Sequence, residues 1–184
     1  MKGSARGEVR LVRWRSPWGA LPVQLHNGRV RAIALDPRSE PELVTVSPDR
    51  RAAGPIRGAA DVAQLMQRLL RGRVSARAIL AASDLSGYTE FERSVLSALA
   101  HVKRGETITY GALAAKIGAP RAARAVGTAL GKNRTPILLP CHRVVATSGI
   151  GGYGGVRASS WRPGGQEPTA FKRSLLQSEG RLLR

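Results

Sequence analysis

Residues 105–145 decide the C-terminal half of the fold and read GETITYGALAAKIGAPRAARAVGTALGKNRTPILLPCHRVV. Thr109 can cap a short helix over 110–117, and Pro120 suits the first turn of a second helix over 120–130. A glycine follows each helix and can end it. Two short helices joined by a tight glycine-containing turn favour a helix-turn-helix, with an ordinary helical hairpin as the alternative.

Basic side chains surround this helix pair, and the whole chain is strongly cationic. Its 184 residues carry 30 Lys and Arg against 12 Asp and Glu, a formal net charge of +18. This excess favours a polyanionic partner, and RNA, DNA and acidic membranes all fit the charge alone. Near the helix pair the charge favours DNA, because only Glu106 opposes Lys103, Arg104, Lys116, Arg121, Arg124, Lys132 and Arg134.

The residues before this stretch alternate between strand-like and helical patterns. Apolar and β-branched runs predict strands over 9–14, 23–25 and 30–35, with turn residues at 26–29. Apolar residues at helical spacing predict a helix over 62–70, which follows a loop rich in Pro, Arg and Gly. This half has no cluster of candidate catalytic groups, and we expect it to support the rest.

A further helix is predicted just before the helix pair. Thr89 followed by Glu92 forms a capping box at its start, and Gly105 is expected to end it. One apolar face of this helix is formed by Phe91, Val95, Ala98, Leu99 and Val102.

The chain has no pattern typical of a membrane protein. No stretch approaches the roughly 20 apolar residues that a spanning helix needs. The basic N-terminus lacks the apolar core of a signal peptide. We therefore expect a cytoplasmic protein with no membrane partner.

The single cysteine, Cys141, lies in the run Pro140-Cys141-His142-Arg143. One cysteine excludes an internal disulfide and a multi-cysteine zinc site, and most lone cysteines are small buried apolar residues. The thiolate is the nucleophilic form, and we expect Arg143 to lower the pKa of this thiol. His142 could accept the thiol proton, directly or through a water. Pro140 fixes the backbone before the cysteine.

The C-terminal segment predicts a short helix with an apolar face formed by Phe171, Leu175 and Leu176. Glu179 lies four residues after Leu175 and points with that face toward the interior, where a carboxylate needs a partner. It could orient an imidazole as the third group of a Cys-His-acid relay. The alternative is an exposed glutamate in the last turn.

These motifs together resemble one family. The run 140–145 is similar to the active-site motif of the O6-alkylguanine-DNA alkyltransferases, which are also called methylated-DNA–protein-cysteine methyltransferases. The resemblance covers nearly all of residues 84–180, and the N-terminal half resembles the family only loosely. The matching motifs lie at 84–91, 105–110, 121–127, 133–145, 152–155 and 175–180.

The resemblance implies a fold and a reaction. The fold is α+β, with an N-terminal sheet-plus-helix domain of RNase H-like type over 1–84 and a mainly helical domain with a helix-turn-helix over 85–184. The reaction is direct-reversal repair, in which an alkyl group passes from O6-alkylguanine in double-stranded DNA to Cys141 after the base is flipped from the minor groove. Activity on O4-alkylthymine stays open. The implied protein is a monomer that needs no cofactor or metal and associates with the nucleoid through DNA.

The resemblance also implies residue roles. Cys141 is the nucleophile, and His142, a water and Glu179 form the proton relay. Tyr110 assists base rotation and donates a proton to the leaving guanine. Arg124 matches the finger residue that fills the gap left by the flipped base. The other implied DNA-binding residues are Arg121, Ala122, Ala123, Thr109 and Lys132.

Around the substrate, Asn133 matches the hinge between the recognition helix and the active-site segment. Arg143 is implied to have a structural role, as Asn133 is. The implied pocket residues are Asn133, Pro136, Pro140, Val144, Val145, Tyr153, Gly154 and Gly155.

Three features depart from the family pattern. The connection over 156–170 is longer than usual and contains Trp161. It would either lie over the pocket and affect substrate range, or form a surface excursion with Trp161 packed on the nearest helix. Gly154 stands where many relatives have Ser. Val102-Lys103-Arg104-Gly105 replaces the common Ile-Pro-x-Gly, which affects a turn and not the chemistry. In addition, the N-terminal half has no Cys, so the zinc site of some relatives is absent.

Other classes of protein fit parts of the pattern. A non-catalytic lesion binder of the alkyltransferase-like type would have another residue in place of Cys141. A helix-turn-helix regulator with an inert thiol would leave the relay and hinge residues without a purpose. A cysteine peptidase normally takes its histidine from a distant part of the chain.

Overall fold

The computed structural model describes residues 8–35, 56–153 and 167–180. Within these ranges the protein is mixed α/β, and its N-terminal part is an antiparallel sheet with the strand order β1-β2-β3. The strands are β1 (Val9–Ser16), β2 (Gly19–His26) and β3 (Arg29–Ile33). β1 and β2 are longer than predicted, and β3 ends two residues earlier.

The turn between β2 and β3 confirms the sequence prediction. His26 pairs with Arg29, so Asn27 and Gly28 form a two-residue loop. Both have positive φ, at 49° and 70°. Asparagine and glycine tolerate this left-handed backbone, which gives the loop a twist that matches the strands. The β2–β3 register is therefore set locally.

Three helices follow, α1 (Ala59–Leu70), α2 (Ala76–Ala82) and α3 (Glu90–Leu99). α2 was not predicted, because this short helix buries only Ile79 and has no apolar period to detect. The capping box of Thr89 and Glu92 is present at the start of α3. The prediction that Gly105 ends α3 is wrong. The helix ends at Leu99, and Gly105 lies in a later turn with a φ of 79°.

The predicted helix pair is present, but its second helix begins later than predicted. α4 (Tyr110–Lys116) is capped by the Thr109 side chain, which accepts a hydrogen bond from the Ala112 amide. α5 (Ala123–Gly131) begins three residues after Pro120, because Ala122 N donates to Ala119 O and closes a separate turn first. The prediction of Pro120 in the first turn of α5 is therefore wrong. Gly131 is the last residue of α5 instead of following it.

A short parallel pairing connects the helix pair to the cysteine segment. β4 (Ile108–Thr109) pairs with β5 (Val144–Val145), with Ile108 opposite Val144. A 3-10 turn, Cys141–Arg143, directly precedes β5. The start of α4 is thus fixed beside the cysteine, although 31 residues separate Tyr110 from Cys141 along the chain.

The C-terminal helix, α6 (Pro168–Ser178), begins two residues before the expected end of the 156–170 connection. Pro168 occupies its first turn, where a missing amide proton costs nothing. Residues 156–166 of that connection, including Trp161, lie outside the described ranges. Phe171, Leu175 and Leu176 are buried as predicted.

The sheet and the C-terminal half share one hydrophobic core and a buried polar network. Asp84 Oδ2 accepts hydrogen bonds from His26 Nδ1 at 2.7 Å and from Arg31 Nη1 at 2.8 Å. Asp84 N donates to Val30 O at 2.8 Å, and Arg134 O accepts from Ile33 N at the same distance. These bonds hold the sheet against the residues that lead into α3 and against the segment that follows α5. No helix of the described ranges is long and apolar enough to cross a membrane.

Asp84→Asn is expected to destabilise the fold by about 3–5 kcal/mol, because it leaves His26 and Arg31 buried without a carboxylate. Burial opposes the charge of Asp84, but hydrogen bonds from Ser86, His26 and Arg31 hold its pKa below the ordinary value. Its stabilisation is present above the unfolded-state pKa and is lost as the pH falls through the folded-state pKa. Urea unfolding at pH 7 and at about pH 3 should therefore show a large difference that shrinks in acid.

The matched control is Glu90→Gln, which alters an exposed carboxylate in the first turn of α3. It is expected to change the unfolding free energy by less than about 1 kcal/mol. Equal losses in the two variants would contradict the role given to Asp84.

Candidate active site

The segment before Cys141 is tied to the end of α5 by Asn133. Its Nδ2 donates to Leu139 O at 2.9 Å, and its Oδ1 accepts from Thr135 N at 3.0 Å. Cys141 N donates to the same Leu139 carbonyl at 2.8 Å. One side chain therefore fixes the segment from 135 to the cysteine, which is the position expected of a hinge.

Ile137, four residues before the cysteine, has an unusual backbone. Its φ is 73°, and its side chain is only 3% exposed. A β-branched residue in the left-handed region is strained, and it persists only where its surroundings hold it. Here Leu139 N donates to Thr135 O at 2.9 Å and closes the turn around Ile137. Sequence analysis gave no sign of this conformation.

Glu179 has two buried partners, His142 and Arg143. Its Oε1 lies 3.0 Å from His142 Nε2 and accepts from Arg143 Nη2 at 2.8 Å. Arg143 Nε donates to Oε2 at 3.0 Å, and Arg143 Nη1 donates to Val102 O at 2.6 Å. The predicted contact between Glu179 and an imidazole is therefore present, and the exposed alternative is wrong.

Electrostatics assigns the protons in this cluster. Burial opposes the charge of Glu179, but hydrogen bonds from His142 and Arg143 lower its pKa from 4.5 to about 2. Burial lowers the pKa of His142 below 6.5 in spite of the carboxylate. A neutral imidazole beside a carboxylate donates through Nε2, so Nδ1 carries the lone pair. Nδ1 is buried and has no hydrogen-bond partner within the described residues, so it is free to accept a proton.

The expectation that Arg143 lowers the pKa of the Cys141 thiol is wrong. Burial raises the pKa of this thiol. A hydrogen bond from Asn133 and the charge of Lys172 oppose the rise. The guanidinium of Arg143 is bound to Glu179 and Val102 instead. The described residues show no direct Cys141–His142 hydrogen bond, which leaves the route through a water.

Lys172 is the functional candidate that the sequence analysis missed. Its side chain is fully buried, and Nζ donates to Val144 O at 2.6 Å, Ile150 O at 2.6 Å and Gly152 O at 2.9 Å. Burial lowers its pKa to about 8, while Cys141 opposes that shift. The sequence did hold a signal, since a lysine one residue after Phe171 lies on the apolar face of α6.

A cavity of about 530 Å³ opens beside Cys141. Tyr110 borders it, and Tyr110 Oη donates to Gly152 O at 3.4 Å. Burial and the nearby Cys141 raise the pKa of Tyr110, so its hydroxyl keeps its proton. The cavity is lined by Tyr110, Gly127, Leu130, Gly131, Cys141, Gly152, Tyr153, Glu167, Pro168 and Thr169.

Of the residues predicted to form the substrate pocket, Tyr153 lines this cavity. The predicted residues that are not part of this lining are Asn133, Pro136, Pro140, Val144 and Val145, of which all but Asn133 are buried. Gly154 and Gly155 lie outside the described residues.

The predicted DNA-binding residues fall into three groups. Arg121 and Arg124 are exposed, at the turn before α5 and on α5 itself. Ala122 and Ala123 are half-buried at the start of α5. Thr109 and Lys132 have partners within the protein, since Thr109 caps α4 and Lys132 Nζ pairs with Glu92 Oε1 at 2.5 Å.

Within the described residues, no group of three or more His, Cys, Asp and Glu side chains could hold a metal ion. The groups around the cavity that can take part in chemistry are the Cys141 thiol, the His142–Glu179 pair and the Tyr110 phenol.

Comparisons with known proteins agree on one family. The family model described as 6-O-methylguanine DNA methyltransferase, DNA binding domain, matches residues 90–181. The methylated-DNA–protein-cysteine methyltransferase of Mycolicibacterium paratuberculosis is 55% identical over 73 residues, which are 39% of this chain and 44% of that relative. The aligned segment thus spans less than half the length of that curated relative.

Solved structures match almost the whole chain. The crystal structure of Mycobacterium tuberculosis O6-methylguanine methyltransferase is 32% identical, with a TM-score of 0.67 over 95% of each chain. The crystal structure of Mycobacterium tuberculosis OGT in complex with DNA has the same identity and TM-score and covers 92% of this chain and 91% of that one. The single cysteine beside a histidine–glutamate pair, the matched C-terminal half and these fold matches agree: the chain belongs to the methylated-DNA–protein-cysteine methyltransferase family.

Proposed function

We propose that this protein repairs duplex DNA by moving the alkyl group of O6-alkylguanine onto Cys141, once per molecule. The observation that carries the proposal is that the only cysteine of the chain lines a cavity and directly precedes a His142–Glu179 pair with a free Nδ1. The protein would act as a monomer in the cytoplasm, associated with the nucleoid and without a cofactor. Whether O4-alkylthymine also reacts stays open.

The proposed fold assignment is finer than mixed α/β. Residues 1–84 form an RNase H-like supporting domain, and residues 85–184 form the DNA-binding and transfer domain, with α4 and α5 as its helix-turn-helix. The packing of α4 against α5 across a short turn supports this assignment.

The proposed reaction is an in-line displacement at the alkyl carbon. The Cys141 thiol loses its proton to His142 Nδ1 through a water, and Glu179 stabilises the imidazolium that forms. A sulfur–carbon bond forms as the carbon–O6 bond breaks, and Tyr110 donates a proton to the leaving guanine. The thioether product is stable, so the protein is consumed.

α5 would contact the DNA and also form part of the substrate cavity. Its exposed Arg124 supports a role in replacing the flipped base, and its small residues Ala122 and Ala123 would allow close approach in the minor groove. The same helix contributes Gly127 and Gly131 to the cavity wall. A base extruded beside Arg124 would therefore have a short path to Cys141.

The 156–170 connection is proposed to influence which alkyl groups fit. Its last residues, Glu167, Pro168 and Thr169, line the cavity beside Cys141. A volume of about 530 Å³ lies within the range of small-molecule sites. The contribution of Trp161 stays a prediction.

Incubation with duplex DNA that contains one O6-methylguanine should add a single methyl group per protein molecule, on Cys141. Intact-mass measurement and peptide mapping check this. Cys141→Ser should abolish transfer and keep DNA binding, because serine preserves the shape but lacks a comparable nucleophile. Multiple turnovers, or a methyl group mapped to another residue, would refute the proposal.

Arg124→Ala should slow repair of a lesion in duplex DNA by about 5- to 100-fold, which corresponds to a loss of roughly 1–3 kcal/mol from the flipped state. Reaction with free O6-benzylguanine should change little, because that substrate needs no flipping. Arg173→Ala removes the same charge from an exposed position on α6 and is the control. Equal losses on both substrates would place Arg124 in the pocket or in folding.

Lys172→Met should raise the apparent pKa of the Cys141 thiol, because it removes the cation that favours the thiolate. It should also lower the unfolding free energy by about 2–5 kcal/mol, since three carbonyls lose their donor. The pH profile of thiol modification by a neutral disulfide reagent measures the first effect cleanly, as Cys141 is the only thiol. Lys116→Met, at an exposed lysine of α4, should alter neither quantity. A lowered or unchanged thiol pKa in Lys172→Met would exclude this role.

A further inference from the structure

A second cavity, of about 630 Å³, lies between the turn after α1 and the segment after α3. It shares no lining residue with the cavity at Cys141. Its apolar lining includes Leu69, Ile79 and Val102, which belong to the core. The proposed reaction makes no use of this cavity, so its chemistry calls for a separate explanation.

The lining of this cavity is cationic. Arg71 borders it from the turn after α1, and His101, Lys103 and Arg104 border it from the segment after α3. Arg143 borders it from the active-site turn. Among the described residues no Asp or Glu belongs to the lining, although the Glu179 carboxylate pairs with Arg143 at 2.8 Å and Glu106 accepts from the Lys103 amide at 3.4 Å. A recess bordered by three arginines and a lysine suits a phosphoryl anion, which arginine binds through paired hydrogen bonds.

Two of these cations also hold the acid of the relay. Arg104 donates through Nη1 to Glu179 O at 3.4 Å, and Arg104 Nη2 donates to Ser178 O. Arg143 binds the Glu179 carboxylate, which contacts His142. The cavity is thus two contacts away from the imidazole, through Arg143 and Glu179.

We propose that this cavity binds a phosphoryl anion and that its occupation speeds the reaction of Cys141. This inference rests on the proposed function for its kinetic part only. The anion is either a free phosphate compound or a phosphate of the DNA backbone, since both present the same charged oxygens.

The direction of the effect follows from charge. After burial and the opposing effect of Glu179, the charge of Arg143 is a further cause that lowers the pKa of His142. An anion next to Arg143 offsets that charge and makes the imidazole a stronger base. Proton transfer from Cys141 to His142 then becomes easier.

The test uses the full chain and inorganic pyrophosphate, with chloride at matched ionic strength as the blank. Calorimetry should show saturable binding of pyrophosphate. The rate of Cys141 modification by free O6-benzylguanine should rise several-fold and saturate at the same concentration. Arg71→Gln with Lys103→Gln should weaken binding by about tenfold or more, since two charge-assisted hydrogen bonds are lost. The double variant should keep the basal rate, because neither residue contacts the relay.

Arg68→Gln with Arg173→Gln removes two exposed charges outside the cavity and is the matched control. It should keep both binding and acceleration. Absence of saturable binding, or an equal loss in the control, would overturn the proposal, as would binding without any change in rate. If Cys141 takes no methyl group from duplex DNA that contains O6-methylguanine, the proposed function fails, while calorimetry still decides whether the site exists.

A competition arm separates the two sources of the anion. If the DNA backbone is the ligand, undamaged duplex DNA displaces pyrophosphate, and the cavity variant lowers the salt dependence of DNA binding by about one to two phosphate contacts relative to the control. If a free anion is the ligand, pyrophosphate and duplex DNA bind independently and the salt dependence is unchanged. Either result supports an anion site.

Discussion

The Glu179 carboxylate is the constraint on which the active site depends. It lies at the end of α6, yet it accepts hydrogen bonds from two consecutive residues of the cysteine turn, His142 and Arg143. A buried carboxylate without partners would be costly, so these contacts fix the end of α6 and the turn together. They also fix which nitrogen of His142 is free. The position of the cysteine turn, the charge beside His142 and the tautomer of His142 thus depend on the Glu179 side chain.

Burial has opposite effects on the two sides of this site. It raises the pKa of the Cys141 thiol and so favours its protonated form. It also keeps His142 neutral and therefore able to take a proton. Lys172 moderates the first effect from inside the protein, while it ties together the carbonyls of Val144, Ile150 and Gly152.

The cavity wall connects the nucleophile to the surface that would face DNA. α5 presents Arg124 to solvent and Gly127 and Gly131 to the cavity, and Asn133 ties its end to the cysteine segment. A shift of α5 would therefore move the Cys141 segment, because the hydrogen-bonded side chain of Asn133 links the two. The strained backbone of Ile137 lies inside that connection, held by the turn around it.

The sequence by itself determined the features that depend on neighbours in the chain. Asn27 and Gly28 set the β2–β3 turn because their backbones tolerate positive φ, and Thr89 and Thr109 start α3 and α4 because their hydroxyls reach amides three residues on. The single cysteine and the motifs around it also identified the family, since those are properties of residue order. The ends of the helices were predicted less accurately, because a separate turn takes the place of the first residues predicted for α5. α2 was missed because it is too short to show an apolar period.

Only the tertiary structure decided which charges meet. Arg143 is two residues from Cys141, but residues of a 3-10 turn project about 120° apart, so it points to Glu179, 36 residues away in sequence. Lys172 donates to three carbonyls that are 20–28 residues away, and no local sequence pattern predicts these partners. Adjacency along a chain fixes the distance between backbones and leaves the direction of side chains open. The electrostatics of the cysteine therefore came from packing, and its chemistry came from the sequence.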